Sequence, residues 1–162
     1  MHVSCPKALF DQLPFFFEVD QPFVLDYLRG IQLPRVTETY RMAHRFLHAY
    51  SASPDTFNAY RREIERFLHW LWLIQQTTIE VIVCEQVADY LRFMQKPPKS
   101  WMMTHSRPRF MQKDGIRQPD PAWRPFWIRP NKSTGNAANS FSMHANSIAS
   151  AYAALSSFYN FL

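Results

Sequence analysis

Residues 55–75 read DTFNAYRREIERFLHWLWLIQ, and the spacing of their apolar side chains decides what kind of fold the chain builds. Phe57, Tyr60, Ile64, Phe67, Leu68 and Leu71 recur at three- and four-residue steps, which predicts an amphipathic helix. Ser53, Pro54 and Asp55 open it with a chain break and capping oxygens. Arg61, Arg62, Glu65 and Arg66 take the remaining surface, while the end, FLHWLWLI, is apolar almost all round and is expected to lie deeper. The arginines therefore gather in the N-terminal half, where the helix dipole and free N–H groups also favour an anion. Two readings follow: ordinary solvated charge, or a helix laid against a polyanion.

Working outward, residues 1–35 form an apolar lead-in punctuated by proline. Within it QPFVLDYLRG predicts a short helix, with Pro22 near its start and Gly30 as its stop. From Val36 to Ala52 a second amphipathic helix is expected, with Val36, Tyr40, Ala43, Leu47 and Tyr50 on one face and Arg41, Arg45 and His48 on another. His44 and His48 stand four apart without a third ligand, so they read as surface histidines rather than a metal clamp. Thr77–Val83 reads as an extended connector. Val87, Tyr90, Leu91 and Met94 then predict a helix that Pro97-Pro98 ends. From Pro97 to Asn139 no period survives, and seven of the twelve prolines fall there, which predicts a long irregular segment. The last stretch, SFSMHANSIASAYAALSSFYNFL, predicts a helix striped by Ile148, Tyr152, Leu155, Phe158, Tyr159 and Leu162. Leu162 still lies inside an apolar pattern, so further sequence is expected beyond it.

At 162 residues, 47% hydrophobic and 19% charged, the chain suits one folded domain, or one domain with an arm. Three glycines and the lack of GxGxxG or Walker patterns argue against a phosphate-cradling nucleotide enzyme. Cys5 and Cys84 have no close cysteine or histidine partners, which fits a reducing compartment and offers no zinc site. No signal peptide or bilayer-spanning run is evident, so a soluble cytoplasmic protein is expected. The net charge of +5 is unevenly placed: nine Lys/Arg face two acids between Lys96 and Lys132, and nine face eleven elsewhere. Such concentration points to a polyanionic partner or to a mobile solvated loop. Trp101, Phe110, Trp123, Phe126 and Trp127 are set among the basic residues there. Aromatics so interleaved either stack on bases while Arg107, Arg109, Lys113 and Arg117 grip phosphate, or simply pin the segment down, with Trp123 and Trp127 as anchors.

The order of SPDTFNAYRREIERFLHWL, then IVCEQVADYLRFM, then LSSFYNFL resembles the core-binding domain of the tyrosine recombinases, the phage-integrase family. Thr56, Tyr60, Arg61, Arg62, Phe67, Trp70 and Leu71 stand at the positions of its loose motif, and PDPAWRPFW is similar to an insertion found in integrases of some mobile genetic elements. The likeness covers roughly residues 36–162. It implies an all-α fold: a four-helix SAM-like core-binding bundle over 36–162, with an insertion loop over 97–139 between the third and fourth core helices, to which the lead-in over 1–35 adds an extra N-terminal helical arm. It implies a DNA-binding domain that clamps double-stranded DNA in site-specific integration and recombination, in a bacterial, nucleoid-associated setting, with other recombinase protomers as partners. The implied contacts lie at two helix starts: Thr56, Asn58, Arg61 and Arg62, then Lys132, Ser142, His144, Asn146 and Ser147. No cofactor, metal or membrane is implied. The family's catalytic half, with its tyrosine nucleophile, is expected outside these residues; Tyr152 and Tyr159 read as core. Val83 departs from the Ser or Thr that the family usually sets before its third helix.

A helical protein-interaction module is the competing reading, with LPFFFEVDQPF as the partner surface unless that stretch packs on its own domain. An independent small enzyme finds no triad or metal spacing around His105, His144 or the cysteines.

Overall fold

Helix α3, Pro54–His69, forms where the apolar repeat predicts it. Pro54 occupies the first helical turn, where its missing N–H is no loss. Ser53 makes no side-chain cap; its hydroxyl meets Thr56 Oγ1 at 3.1 Å instead. Phe57, Ile64, Phe67 and Leu68 are fully buried, each contributing roughly 1.5–3 kcal/mol relative to exposure. The helix runs on as a π-helical turn, Trp70–Ile74, which carries Trp70, Leu71 and Trp72 into the interior. Gln76, at φ 52°, then turns the chain away.

The computed structural model describes residues 5–128, 143 and 145–162. Around α3 stand α1 (Pro22–Arg29), α2 (Val36–His48), α4 (Cys84–Gln95) and α5 (Ala145–Phe161). Phe46 of α2 stacks on Tyr60 of α3 at 5.7 Å and lies 5.2 Å from Phe158 of α5, which locks the three helices together. Phe67 and Trp70 meet Tyr90 of α4, both at 5.2 Å. Helix α2 stops at His48, and its N-cap, Arg35, holds a left-handed φ of 60° while its guanidinium grips Glu38 at 2.7 Å. The expected connector between α3 and α4 contains a 3-10 turn, Ile79–Val81. Val83 offers no capping oxygen, but its N–H donates to the Gln86 side chain at 3.0 Å, so α4 starts cleanly at Cys84. The lead-in joins the same core: Ala8, Leu9, Phe10, Phe16, Val24 and Leu28 are buried with the helices.

The expected all-α, four-helix SAM-like bundle is overturned. Among the described residues five α-helices are present, and the described part of the stretch expected to be an irregular loop holds two strand pairs. Strands β1 (Met102–Met103) and β4 (Phe126–Trp127) run parallel, and β2 (Phe110–Lys113) and β3 (Ile116–Pro119) form an antiparallel hairpin. Strands of two and four residues are too short for alternation to register as a period. The legible signal was Asp114-Gly115, a two-residue turn with φ 53° and 77°, as a type I′ hairpin requires. Trp101, Phe110, Trp123 and Phe126 are buried in the common core, so the insert is part of the fold. Among the described residues, no helix is long and apolar enough to cross a membrane.

Candidate nucleic-acid interface

One flank of α3 is charged yet covered. Glu63 and Glu65 are each only 1% exposed, and no buried carboxylate persists without partners. Glu65 Oε1 accepts the backbone N–H of Leu9 at 2.6 Å and of Phe10 at 3.4 Å, and its other oxygen pairs with Arg109 of the insert. Arm, helix and insert thus meet at one carboxylate. Glu63 Oε1 is shared by Arg62 at 2.9 Å and Arg66 at 3.6 Å. Arg66 also donates to the Pro125 carbonyl at 2.9 Å and lies 4.3 Å over the Phe126 ring, fixing the end of the insert. Burial lowers its proton affinity.

The insert's arginines are tied down in the same way. Arg117 forks onto both carboxylate oxygens of Asp11 at 2.7 Å and covers Phe15 at 4.0 Å. Arg107 forks onto Asp120 at 3.1 and 3.4 Å, and Asp120, 3% exposed, also caps the Ala122 N–H at 2.8 Å. Arg109 lies 4.9 Å over Trp123, and its affinity for its proton is pushed down by burial first, then by the charges of Arg61 and Arg62. Of the four loop residues expected to face DNA, Arg109 and Arg117 therefore serve the fold. Arg107 remains 47% exposed beside its carboxylate, and Lys113 is exposed next to the hairpin turn.

The expected site on α3 divides. Arg61 is half-buried and held against the N-terminal arm: Nη1 donates to the Asp11 carbonyl at 2.8 Å and Nη2 to Asn58 Oδ1 at 3.1 Å. Burial brings its pKa down to about 10. Arg62 keeps 44% of its side chain exposed, Asn58 is exposed, and Thr56 is half-buried. Asp55 adds a negative charge to the first turn, against an anion at that helix start. Of the second group, Lys132, Ser142 and His144 lie outside the described residues. Asn146 is exposed and Ser147 half-buried at the opening of α5. The two openings are not brought together by the contacts described. The Tyr60 hydroxyl meets Ser157 Oγ at 3.4 Å, eleven residues past Asn146 and so about 16 Å further along the helix axis.

Three smaller expectations also change. His44 is buried, stacked on Phe16 at 4.1 Å and bonded to the Phe16 carbonyl at 2.8 Å, so it is no surface histidine. Tyr152, expected in the core, is 58% exposed. Tyr159 is half-buried, its pKa pushed up to about 12 by burial. Among the described residues, no three His, Cys, Asp or Glu are grouped to hold a metal ion.

The side chains missed from the sequence are the acids Asp11, Glu63, Glu65 and Asp120. The RREIER run invites an i,i+4 pairing of Arg61 with Glu65, yet Glu65 pairs forty-four residues away with Arg109. Five guanidiniums (Arg62, Arg66, Arg107, Arg109, Arg117) pair with four carboxylates, and Arg61 beside them donates only to a carbonyl and an amide oxygen, so these ten groups carry two more positive charges than negative. No family model, curated protein or solved structure matches this chain.

Proposed function

We propose that the chain is the DNA-binding part of a site-specific tyrosine recombinase, acting on double-stranded DNA alongside other recombinase protomers in a bacterial nucleoid. The observation that carries this reading is the surplus of two positive charges in a network whose outer members, Arg62 and Arg107, are 44% and 47% exposed. Carbonyl and amide oxygens satisfy the hydrogen bonds of Arg61 without neutralising its charge, and the excess positive field attracts a polyanion. The order of motifs along α3, α4 and α5 supplies the recombinase part of the reading. Arg62, Arg107 and Lys113 then provide sequence-independent affinity, while Thr56 and Asn58 at the opening of α3 fix register through hydrogen bonds, and Asn146 and Ser147 at the separate opening of α5 make contacts of their own. Strand cleavage and rejoining belong to the family's catalytic half, and this chain alone cuts nothing.

The test is fluorescence anisotropy of a labelled duplex at about 50 and 200 mM salt. The parent is expected to bind weakly, in the micromolar range or above, and to lose affinity steeply with salt. An Arg62→Gln/Lys113→Gln variant should bind about tenfold more weakly, with a salt slope smaller by about 2. Salt-independent binding by the parent removes the function; an unchanged variant removes the assigned contacts.

A second reading, a protein-interaction face on the arm, is favoured by Phe15, Phe17 and Phe23, which are 40%, 46% and 43% exposed. Light scattering on Phe17→Ser/Phe23→Ser checks it: the same mass as the parent at every concentration excludes that face as a self-association surface.

A further inference from the structure

We propose that the cleft between the N-terminal arm and the insert is a seat for a phosphate group, formed by the guanidiniums of Arg61, Arg107 and Arg109 with Gln12 at its edge. The cleft encloses about 230 Å³, room for several waters or one tetrahedral anion. Asp11 and Trp123 complete its walls. The seat stands on this geometry alone; that DNA supplies the phosphate rests on the function proposed above.

Three guanidiniums border the cleft against one carboxylate, and that carboxylate is already committed. Asp11 holds both oxygens on Arg117 and also accepts the Gln12 N–H at 2.7 Å. Arg107 and Arg109 each share a carboxylate that backbone N–H groups also use. Arg61 pairs with no carboxylate among the described residues. Its two Nη groups reach a carbonyl and an amide oxygen, and its buried Nε–H finds no acceptor there. A partly buried cation in that condition is costly; burial lowers the proton affinities of Arg61 and Arg109, and the charges of Arg61 and Arg62 lower that of Arg109 further. Three guanidiniums from two separate chain segments on one cleft suit an anion with several acceptor oxygens, such as a phosphate group.

The decisive variant is Gln12→Glu. Gln12 is exposed, and the bonds described for it are made by its backbone, so a carboxylate at this edge repels an incoming anion without disturbing the core. Thermal melts compare about 20 mM inorganic phosphate with chloride at matched ionic strength. Because phosphate stabilises proteins generally by exclusion, the readout is the difference between proteins. The parent should gain about 3–5 °C more than Gln12→Glu, and more than Arg107→Gln. Equal gains in the parent and Gln12→Glu overturn the seat, whatever DNA does. A duplex-binding arm identifies the source. If phosphate weakens duplex binding by the parent more than by Gln12→Glu, the seat holds a DNA phosphate. If the melts respond as expected without such competition, the seat holds a free phosphate or a small phosphorylated ligand. The DNA reading then depends on its own salt and variant tests.

Discussion

His69 shows how burial decides a side chain's chemistry. It is fully buried, with Nε2 2.7 Å from the Lys7 carbonyl and Nδ1 3.4 Å from the Tyr27 hydroxyl. A carbonyl only accepts, so Nε2 carries the proton and Nδ1 accepts from Tyr27. Burial, opposed in part by the Lys7 bond, lowers the His69 pKa to about 4, well below the roughly 6.5 of an unfolded chain. Between those values the unfolded chain binds the additional proton. The stabilisation is therefore complete above about pH 6.5 and is lost as pH falls toward 4, by roughly 3 kcal/mol across the window. His44, lowered mainly by burial, acts in the same direction. The Tm should drop by several degrees from pH 7 to pH 5, and the drop should shrink in His69→Gln; parallel curves for the two proteins would remove this account. Glu65 is the complementary case. Glu65→Gln discharges the carboxylate that holds Arg109 and two backbone N–H groups, leaving a buried guanidinium unpaired. A loss of about 3–5 kcal/mol in a urea melt is expected. Glu65→Met/Arg109→Met should recover part of it, and no recovery would mean that the acceptor Glu65 offers to the Leu9 and Phe10 N–H groups, rather than its ion pair, is what the fold needs. The sequence announced neither role. It shows which residues carry charge, but not which become enclosed, and enclosure sets both the pKa and the need for a partner.

Helices α2, α3 and α4 were legible because their apolar stripes repeat over three turns or more, long enough for a period to register. The strands were not, since two or four residues hold at most two repeats of an alternating pattern. Only the Asp114-Gly115 turn marked the hairpin, and Gly115 is where the backbone demands glycine. At φ 77°, and with open space where a Cβ would stand, Gly115→Ala meets strain but no clash. The expected cost is about 1 kcal/mol. It should appear as roughly fivefold faster amide exchange in β2 and β3, with Tm falling by less than about 4 °C. Exchange that accelerates equally in α3 would show that the hairpin opens only with the whole fold.

Across the molecule, the arm and the insert behave as load sharers of a single core. Leu9, Phe10, Phe16, Val24 and Leu28 are buried with the helices. At roughly 1.5–3 kcal/mol each, their removal rivals the 5–15 kcal/mol by which a domain is stable. A chain lacking residues 1–35 should therefore give no cooperative melt by circular dichroism; a sharp transition near the parent's would make the arm a separate unit. The stripe of α3, the helical content around it and the concentration of positive charge after Lys96 were all present in the linear order of residues, because periodicity and charge are local properties. Which arginines turn outward was not. Arg61 turned to the arm's Asp11 carbonyl at the edge of a cleft, Arg109 and Arg117 were taken up by Glu65 and Asp11, and Arg62 and Arg107 stayed half-exposed. The outcomes for Arg61, Arg109 and Arg117 depend on segments from 44 to 106 residues apart in the chain meeting in space, and electrostatic pairing is settled by proximity after folding rather than by order along the backbone.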